Sequence, residues 1–590
     1  MQLATIDWTF IIGFFIIALG IGIAVARKAG SDASQFFLSG RGMPWWLLGF
    51  SMVATTFSTD TPNLVTDIVR KNGVSGNWVW WAFLLSGMLT VFVYARLWRR
   101  SGVMTDIEFY EIRYSGKPAA FLRGFRALYV GIGLNVVIMS AVSLAAIKIG
   151  AIMFQFSPLQ SILVASLVTV AFSALGGLRS VILTDFLLFI IAMVGAVAAA
   201  WVALSQPEVG GLSGLFAHPN VKDKLDLVPA FDLSTPESRN LLFSLFLIPI
   251  AVQWWAAVYP GSEPGGGGYM AQRMLAAKDE NHAVGAALFF NVAHYALRPW
   301  PWIIVALASL IIFPELSDIQ EKFPHVTDDK LGDDLAYPAM LTLLPPGLLG
   351  LVLTSLIAAY MSTISTHLNW GSAYVANDFY KRFVKPEATD KELVQVGRIS
   401  TVVMMILAGA LALSLQNALA IFDLILGLGA GTGLVFILRW LWWRVNAWSE
   451  IVAMITCLFV VLFFQVVNQD HGMEGWQVFS LNVVITSIAW IVATFLTRPT
   501  HPETLESFCR LVNPPDSGWK PVYSQMESVP EVDERVNLPR GILSMVLGCV
   551  MVYGALLGTG CILYGNLGPG LGIFAVATAA GVSLARLWRR

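Results

Sequence analysis

Four small or hydroxyl-bearing residues recur at one helical spacing: Ala359, Ser362, Thr363 and Thr366, at i, i+3, i+4 and i+7 within LTSLIAAYMSTISTHLNWGSAYVANDFYKRF (353–383). On an α-helix that spacing puts all four on one face. The stretch begins as an apolar membrane segment and ends in a basic cluster, Lys381, Arg382 and Lys385. A hydroxyl stripe inside a membrane helix has two readings. Small side chains let neighbouring helices approach closely. Hydroxyl, carbonyl and carboxylate oxygens are also the ligands that a hard cation prefers.

A second polar concentration lies in PWWLLGFSMVATTFSTDTPNLVTDIVRKNG (44–73), whose middle holds Thr55 to Asn63 with Asp60 and Pro62. Pro62 cannot donate a helix hydrogen bond and crowds the preceding turn. A carboxylate at membrane depth is costly. Irregular backbone survives there only where protein or a water-filled cavity satisfies it. The pattern predicts a discontinuous helix, its freed carbonyls turned to an ion and its polar side chains to a solute. A proline kink packed by neighbours is the plainer alternative, but it needs no Asp60. Five spans later Pro249 stands near Gln253, Trp254 and Trp255, ahead of YPGSEPGGGGY. Irregular helices at matching places in two halves point to an inverted-repeat transport site.

The elements that must carry these residues are membrane spans. The 590 residues are 56% hydrophobic and 13% charged, with mean hydropathy +0.68. Soluble chains are about a quarter charged. About fifteen apolar segments of bilayer length follow one another, from Trp8–Ala26 to 567–587. The first lacks a basic n-region and a cleavage site, so it reads as a retained span. Basic residues gather in alternate connections, such as Arg96, Arg99 and Arg100 after the third span, Arg273 and Lys278 after the seventh, and Lys381 to Lys391 after the ninth. That bias places the N-terminus outside and the C-terminus in the cytoplasm of a plasma-membrane protein. The four cysteines form no CxxC, so neither a zinc site nor a disulfide frame is expected. No HExxH, GxSxG or nucleotide loop is present, and Gly427, Gly429, Gly431 and Gly433 lack the Lys and strand of a phosphate loop. The chain therefore does not read as an enzyme. Gly265–Gly268 read as a flexible connector, and 497–540 as a solvated cytoplasmic linker before peripheral last spans.

Three further stretches align with the hydroxyl stripe: FFLSGRGMPWW (36–46), GGLRSVILTDFLLF (176–189) and YMAQRMLAAKDENHAV (269–284). Together, in this order, they resemble the sodium:solute symporter family over roughly residues 1–470. The resemblance implies an all-α polytopic fold with a LeuT-type core of five plus five helices. One extra N-terminal span (1–43) precedes it, and about four extra spans follow (444–590). The repeats would be 44–204 and 239–443, joined by an external loop at 205–238. It implies one Na⁺ held by carbonyls of Ala54, Phe57 and Ala359 and hydroxyls of Ser362 and Thr363. A second Na⁺, found in some members, would use Asp185 with Ser362, Ser365 and Thr366.

By the same resemblance the solute site falls at or near Thr56, Ser58, Asp60, Thr61, Asn77 and Asn135, with Gln253, Trp254, Trp255, His294 and Asp423 from later helices. Hydrogen-bonding groups beside aromatic faces suit a polar solute. Two carboxylates without a nearby lysine fit sugar hydroxyls or an amine, and Arg298 lies one turn beyond His294. The expected function is Na⁺-coupled uptake of a small polar organic solute by alternating access, with a sugar preferred. An amino acid or other amine on the same scaffold, or a transport-inactive solute sensor, stand as alternatives. The expected partners are solute and bilayer, not nucleic acid, and the chain is expected to act as a monomer.

Overall fold

The computed structural model describes residues 3–29, 32–259, 261–416, 418–468, 472–531 and 535–589. Among them the chain is helical almost throughout, with one isolated bridge between Met43 and Ala277. Eleven of the described helices are long and apolar enough to cross a membrane, twelve if one pair bent by 46° counts as a single span. About fifteen were expected. Four expected spans are broken or short: 44–70 and 418–443 are each split in two, and the apolar helices Pro158–Leu167 and Ala447–Leu462 fall below bilayer length. The second expected span is split into α2 (Trp45–Thr56) and α3 (Asp60–Asn72), each too short alone. The fifth and sixth expected spans meet within α6 (Pro158–Leu204), where two helices join at a kink at Gly177, φ 54° and ψ −162°. A Cβ at Gly177 would lie 2.6 Å from the Phe36 carbonyl oxygen, so only glycine fits.

The remaining elements that position the site are α1 (Thr5–Ala29), α4 (Val74–Ser101), α5 (Gly116–Phe154), α7 (Pro236–Ala256) and α8 (Gly268–Ala276). After them come α9 (Glu280–Ile312), α10 (Leu348–Val384), α11 (Asp390–Ala412), α12 (Ala418–Gly429) and α13 (Gly433–Leu441). The C-terminal part adds α14 (Ala447–Leu462), α15 (Gly475–Leu496), α16 (Leu538–Leu563) and α17 (Leu567–Arg589). α10 carries the hydroxyl stripe and is buried on nearly every side, packed against α6, α1, α5, α11 and α2. A helix apolar all round belongs in such a centre. Asp7 of α1, 1% exposed, accepts from the N–H groups of Gly347 and Gly350 at 2.7 and 2.8 Å. A carboxylate there satisfies two free donors at the start of α10 and complements its dipole.

At the end of the molecule away from Lys381, two consecutive aspartates tie a loop to two spans. Asp333 accepts from Arg70 Nε of α3 at 2.7 Å, and Asp334 accepts from Lys148 Nζ of α5 at 2.7 and 2.6 Å. Segment 497–540 is not the solvated linker expected. It forms a helix, Pro502–Val512, and buries Phe508 and Trp519. Trp519 Nε1 donates to the Trp440 carbonyl at 2.8 Å, and the Arg113 guanidinium stands 4.6 Å over its ring. Composition suggested solvent because the segment is charged, but its few aromatics carry the burial. The expectation of peripheral last spans also fails for α16, which packs on α4 and accepts from Trp300 Nε1 at the Leu556 carbonyl, 3.0 Å.

Candidate functional site

The interruption between α2 and α3 is built by side chains that replace the lost helix bonds. Phe57 leaves helical geometry at φ −88° and ψ 79°. Thr61 Oγ1 donates to the Thr56 carbonyl at 3.2 Å and accepts from Ser58 N–H at 3.2 Å, closing the gap. Pro62 falls in the first turn of α3, where a missing N–H costs nothing.

The interruption lies directly against the stripe on α10. Thr363 Oγ1 donates to the Thr55 carbonyl at 2.7 Å, and Thr59 Oγ1 to the Leu356 carbonyl at 3.1 Å. The Ala54 carbonyl accepts from Phe57 N–H at 3.2 Å. Ser362 Oγ donates to Asp185, so Ser362 and Thr363 each spend their one proton elsewhere. Their oxygens keep lone pairs for a cation, which is the donor set that Na⁺ takes. Ala54, Phe57, Ala359, Ser362 and Thr363 are all buried.

Asp185 of α6 accepts from Ser51 of α2 as well as from Ser362 of α10. Thr366 Oγ1 stands 3.1 Å from Thr55 Oγ1. Ser365 instead donates to its own helix, at the Ser362 carbonyl, 3.1 Å. This cluster contains a residue the sequence reading took for a cytoplasmic loop marker. Arg273 of α8 is fully buried, donating from Nε to Ser51 Oγ at 3.3 Å and from Nη2 to Thr366 Oγ1 at 2.7 Å. Its place in the QR pair of 272–273 was the available signal.

Above this cluster lies a cavity of about 100 Å³ between α3, α4, α5, α9 and α10. Thr56, Ser58, Asp60, Thr61 and His294 line it, as expected positions brought together. Thr56 Oγ1 lies 3.0 Å from His294 Nδ1, and Arg298 Nη2 bonds the same ring. Six of the expected solute residues stand outside the cavity, each for a local reason. Asn77 donates to the Val74 carbonyl and accepts from Trp80 Nε1, both at 2.9 Å. Asn135 grips His367, its Oδ1 accepting from Nδ1–H (2.6 Å) and its Nδ2 donating to the His367 carbonyl (2.8 Å). Gln253 Nε2 donates to the Val79 carbonyl at 2.6 Å. The Trp254 carbonyl accepts from Ser86, and Trp255 Nε1 donates to the Ala251 carbonyl at 2.7 Å. Asp423 is exposed on α12, while its neighbour Phe422 lines the cavity.

Sequence reasoning missed the aromatic wall of Trp80, Phe83, Tyr259 and Tyr269, and it missed His367. His367 is four residues after Thr363 and stands beside Thr366 at i+8 of the stripe, which a longer reading of the period would have found. Gly265–Gly268 are no loose connector. They are buried between α7 and α8, and a Cβ on Gly265 would lie 2.6 Å from the Phe436 carbonyl oxygen. Close approach of two backbones, together with positive φ at Gly265, Gly266 and Gly268 (79°, 70° and 55°), demands glycine there.

Compared with known proteins, residues 36–457 match the model of the sodium:solute symporter family. The chain is 26% identical over 491 residues to a sodium/glucose cotransporter of Vibrio parahaemolyticus, covering 80% of this chain and 88% of that one. It is 28% identical over 442 residues to a sodium/myo-inositol cotransporter of Bos taurus, covering 69% of this chain and 58% of that one. In three dimensions it is similar to a Na⁺-coupled sialic acid symporter in a substrate-bound outward-open state. That likeness has TM-score 0.67 and 18% identity, covering 85% of this chain and all of that one. The shared fold is an all-α membrane architecture with a LeuT-type core.

Proposed function

Because the chain belongs to the sodium:solute symporter family, we propose that it draws a small polar organic solute inward across the plasma membrane, driven by Na⁺. The coupling ion sits where the α2–α3 interruption meets α10, held by Ala54, Phe57, Ala359, Ser362 and Thr363. The observation that carries this reading is the 2.7 Å bond from Thr363 to the Thr55 carbonyl, which brings the two ligand-bearing places into contact. A second Na⁺ binds at Asp185 with Ser362 and Thr366 once the Arg273 guanidinium, which donates to Thr366 Oγ1 at 2.7 Å and opposes a second cation, gives up that contact. Ser365, bonded to its own helix, joins only if its rotamer changes. Solute binds in the cavity of Thr56, Ser58, Asp60, Thr61 and His294. Glucose and myo-inositol, carried in the names of relatives, keep neutral polyols among the candidates.

Alternating access then follows from the halves 44–204 and 239–443 working against each other. Outside Na⁺ holds α2 to α10, solute enters, the halves rock, and low internal Na⁺ releases the ion. The N-terminus lies outside and the C-terminus in the cytoplasm. Each Na⁺ adds about 2.3 kcal/mol per 100 mV of membrane potential. The test is uptake into proteoliposomes of labelled hexoses, inositols and amino acids under an imposed Na⁺ gradient. Ser362→Ala removes one charge-assisted contact of about 1.5–3 kcal/mol, so the Na⁺ level for half-maximal uptake should rise about ten-fold or more. Uptake that runs equally on a proton gradient without Na⁺ refutes the coupling.

A further inference from the structure

Two cavities lie in sequence along the same elements, and each holds a carboxylate and a guanidinium not paired with each other. The upper is the cavity with Asp60 and Arg298. The lower, about 70 Å³, is lined by Glu263 of the 257–267 segment and Arg126 of α5. Ile138 lines both. On α10, His367 faces the upper and Trp370, three residues on, the lower; on α12, Phe422 and Ile425 stand in the same relation. Between the levels Tyr269 meets His367 and Trp370 with ring centroids 5.4 and 6.3 Å away. Passing from upper to lower follows α10 toward Lys381 and Arg382.

The four charged groups share one feature. Asp60 Oδ1, Arg298 Nε, Glu263 Oε2 and Arg126 Nε are all buried without a hydrogen-bond partner. Among the described residues no ion pair within 4.0 Å includes any of the four side chains. The other charges of the lower cavity are engaged: Asp106 accepts from Tyr374 and from Gly268 N–H, and Arg439 pairs with Glu450 at 3.6 Å. Arg298 is otherwise engaged with His294 and the Val53 carbonyl, and Arg126 with Met454 Sδ, so the unmet demand is one N–H on each guanidinium and one oxygen on each carboxyl. Such buried atoms are costly unless something completes them.

We propose that the solute is a small zwitterion and that the lower cavity is a second station for it. Its ammonium end meets the carboxylate at each level and its carboxylate end meets the guanidinium. The proposal rests on the reading of the upper cavity as the solute site. A neutral polyol would fill hydrogen bonds but leave both buried charges uncompensated.

The experiment uses the full chain in detergent with two probes, a ¹⁴C-labelled mixture of the twenty common amino acids and a labelled mixture of neutral hexoses and inositols. Equilibrium dialysis in NaCl, against KCl as control, counts bound label at saturation. The expected result is Na⁺-dependent binding of the amino-acid mixture at two equivalents per chain. E263Q and R126Q should each halve the bound label, the retained equivalent showing that they fold. D60N and R298Q should remove the other half. Binding of the polyol mixture alone, abolished by D60N, overturns the zwitterion while the upper cavity stands. One equivalent in the unmodified chain, or E263Q equal to it, overturns the second station. Binding untouched by both D60N and R298Q refutes the cavity reading beneath the proposal.

Discussion

Removing Asp334 should unfold this protein more readily than any change at an exposed ion pair, and replacing its partner as well should undo the damage. Asp334 and Lys148 are each 1% exposed and meet through two contacts, 2.6 and 2.7 Å. With Asp334→Leu the ammonium of Lys148 is stranded in a dry place, for which buried pairs give losses of about 3–5 kcal/mol. Lys148→Met strands the carboxylate and should cost a similar amount. The double change leaves no orphan, and apolar replacement of a buried pair is neutral or stabilising by about 1–4 kcal/mol. The cycle should therefore show a favourable coupling of several kcal/mol, far above the roughly 0.5 kcal/mol expected of independent sites. Neighbouring Asp333, 20% exposed, is also paired to Arg70, but solvent screens it; Asp333→Asn should cost about 1 kcal/mol. Equilibrium unfolding in detergent, followed by scanning fluorescence on the four forms, measures these terms. If either single variant stays within 1 kcal/mol of the parent, or the double is no better than the worse single, the pair is not the buried contact described.

Three further outcomes are expected. Trp519→Ala opens the hole left by a fully buried indole, a loss of about 3–5 kcal/mol confined to its own segment; limited proteolysis should cut within 513–526 at protease levels that spare the parent. Gly177→Ala forces a side chain into a backbone region open only to glycine and against the Phe36 carbonyl; the cost, about 1–3 kcal/mol or more, should appear as a lower melting temperature. Glu111, in the connection before α5, is raised by partial burial but lowered more by hydrogen bonds from Arg382 and Arg123, so its carboxyl lies below the usual range. A depressed folded value means the contribution is whole above the unfolded value of about 4.3 and fades as pH falls through the folded one. Melting temperature should hold from pH 8 to 5 and drop below pH 4, and Glu111→Gln should flatten the part of that drop due to this group.

The residues legible in advance were those whose chemistry conflicts with a bilayer. Asp60 and Pro62 in an apolar run announced an interruption, and the period of Ser362, Thr363 and Thr366 announced a shared face. Both features are local. The residues misread depend on which neighbour arrives. Asn77 and Gln253 look like solute ligands, yet each is consumed by a backbone carbonyl a few residues or one helix away. Asp423 looks costly at mid-membrane, but α12 turns it outward and presents Phe422 instead. Arg273 looks like a solvated marker because a charge near a span end normally is one; here hydroxyls from α2 and α10 wait for it. Gly265–Gly268 read alike whether loose or wedged, and only the Phe436 backbone opposite distinguishes the two.

The stacking of Trp519 under Arg113 also decides which parts can swing. Arg113 donates from Nε to the Arg439 carbonyl at 2.8 Å and from Nη2 to those of Trp442 and Trp443 at 3.0 and 3.2 Å. Tyr114 reaches Glu450 of α14 at 2.6 Å. These bonds rivet the approach to α5, the foot of α13 and the head of α14 into one splint, with segment 502–523 as its clamp. A motion of any one member of that splint must either break these bonds or carry the other members with it.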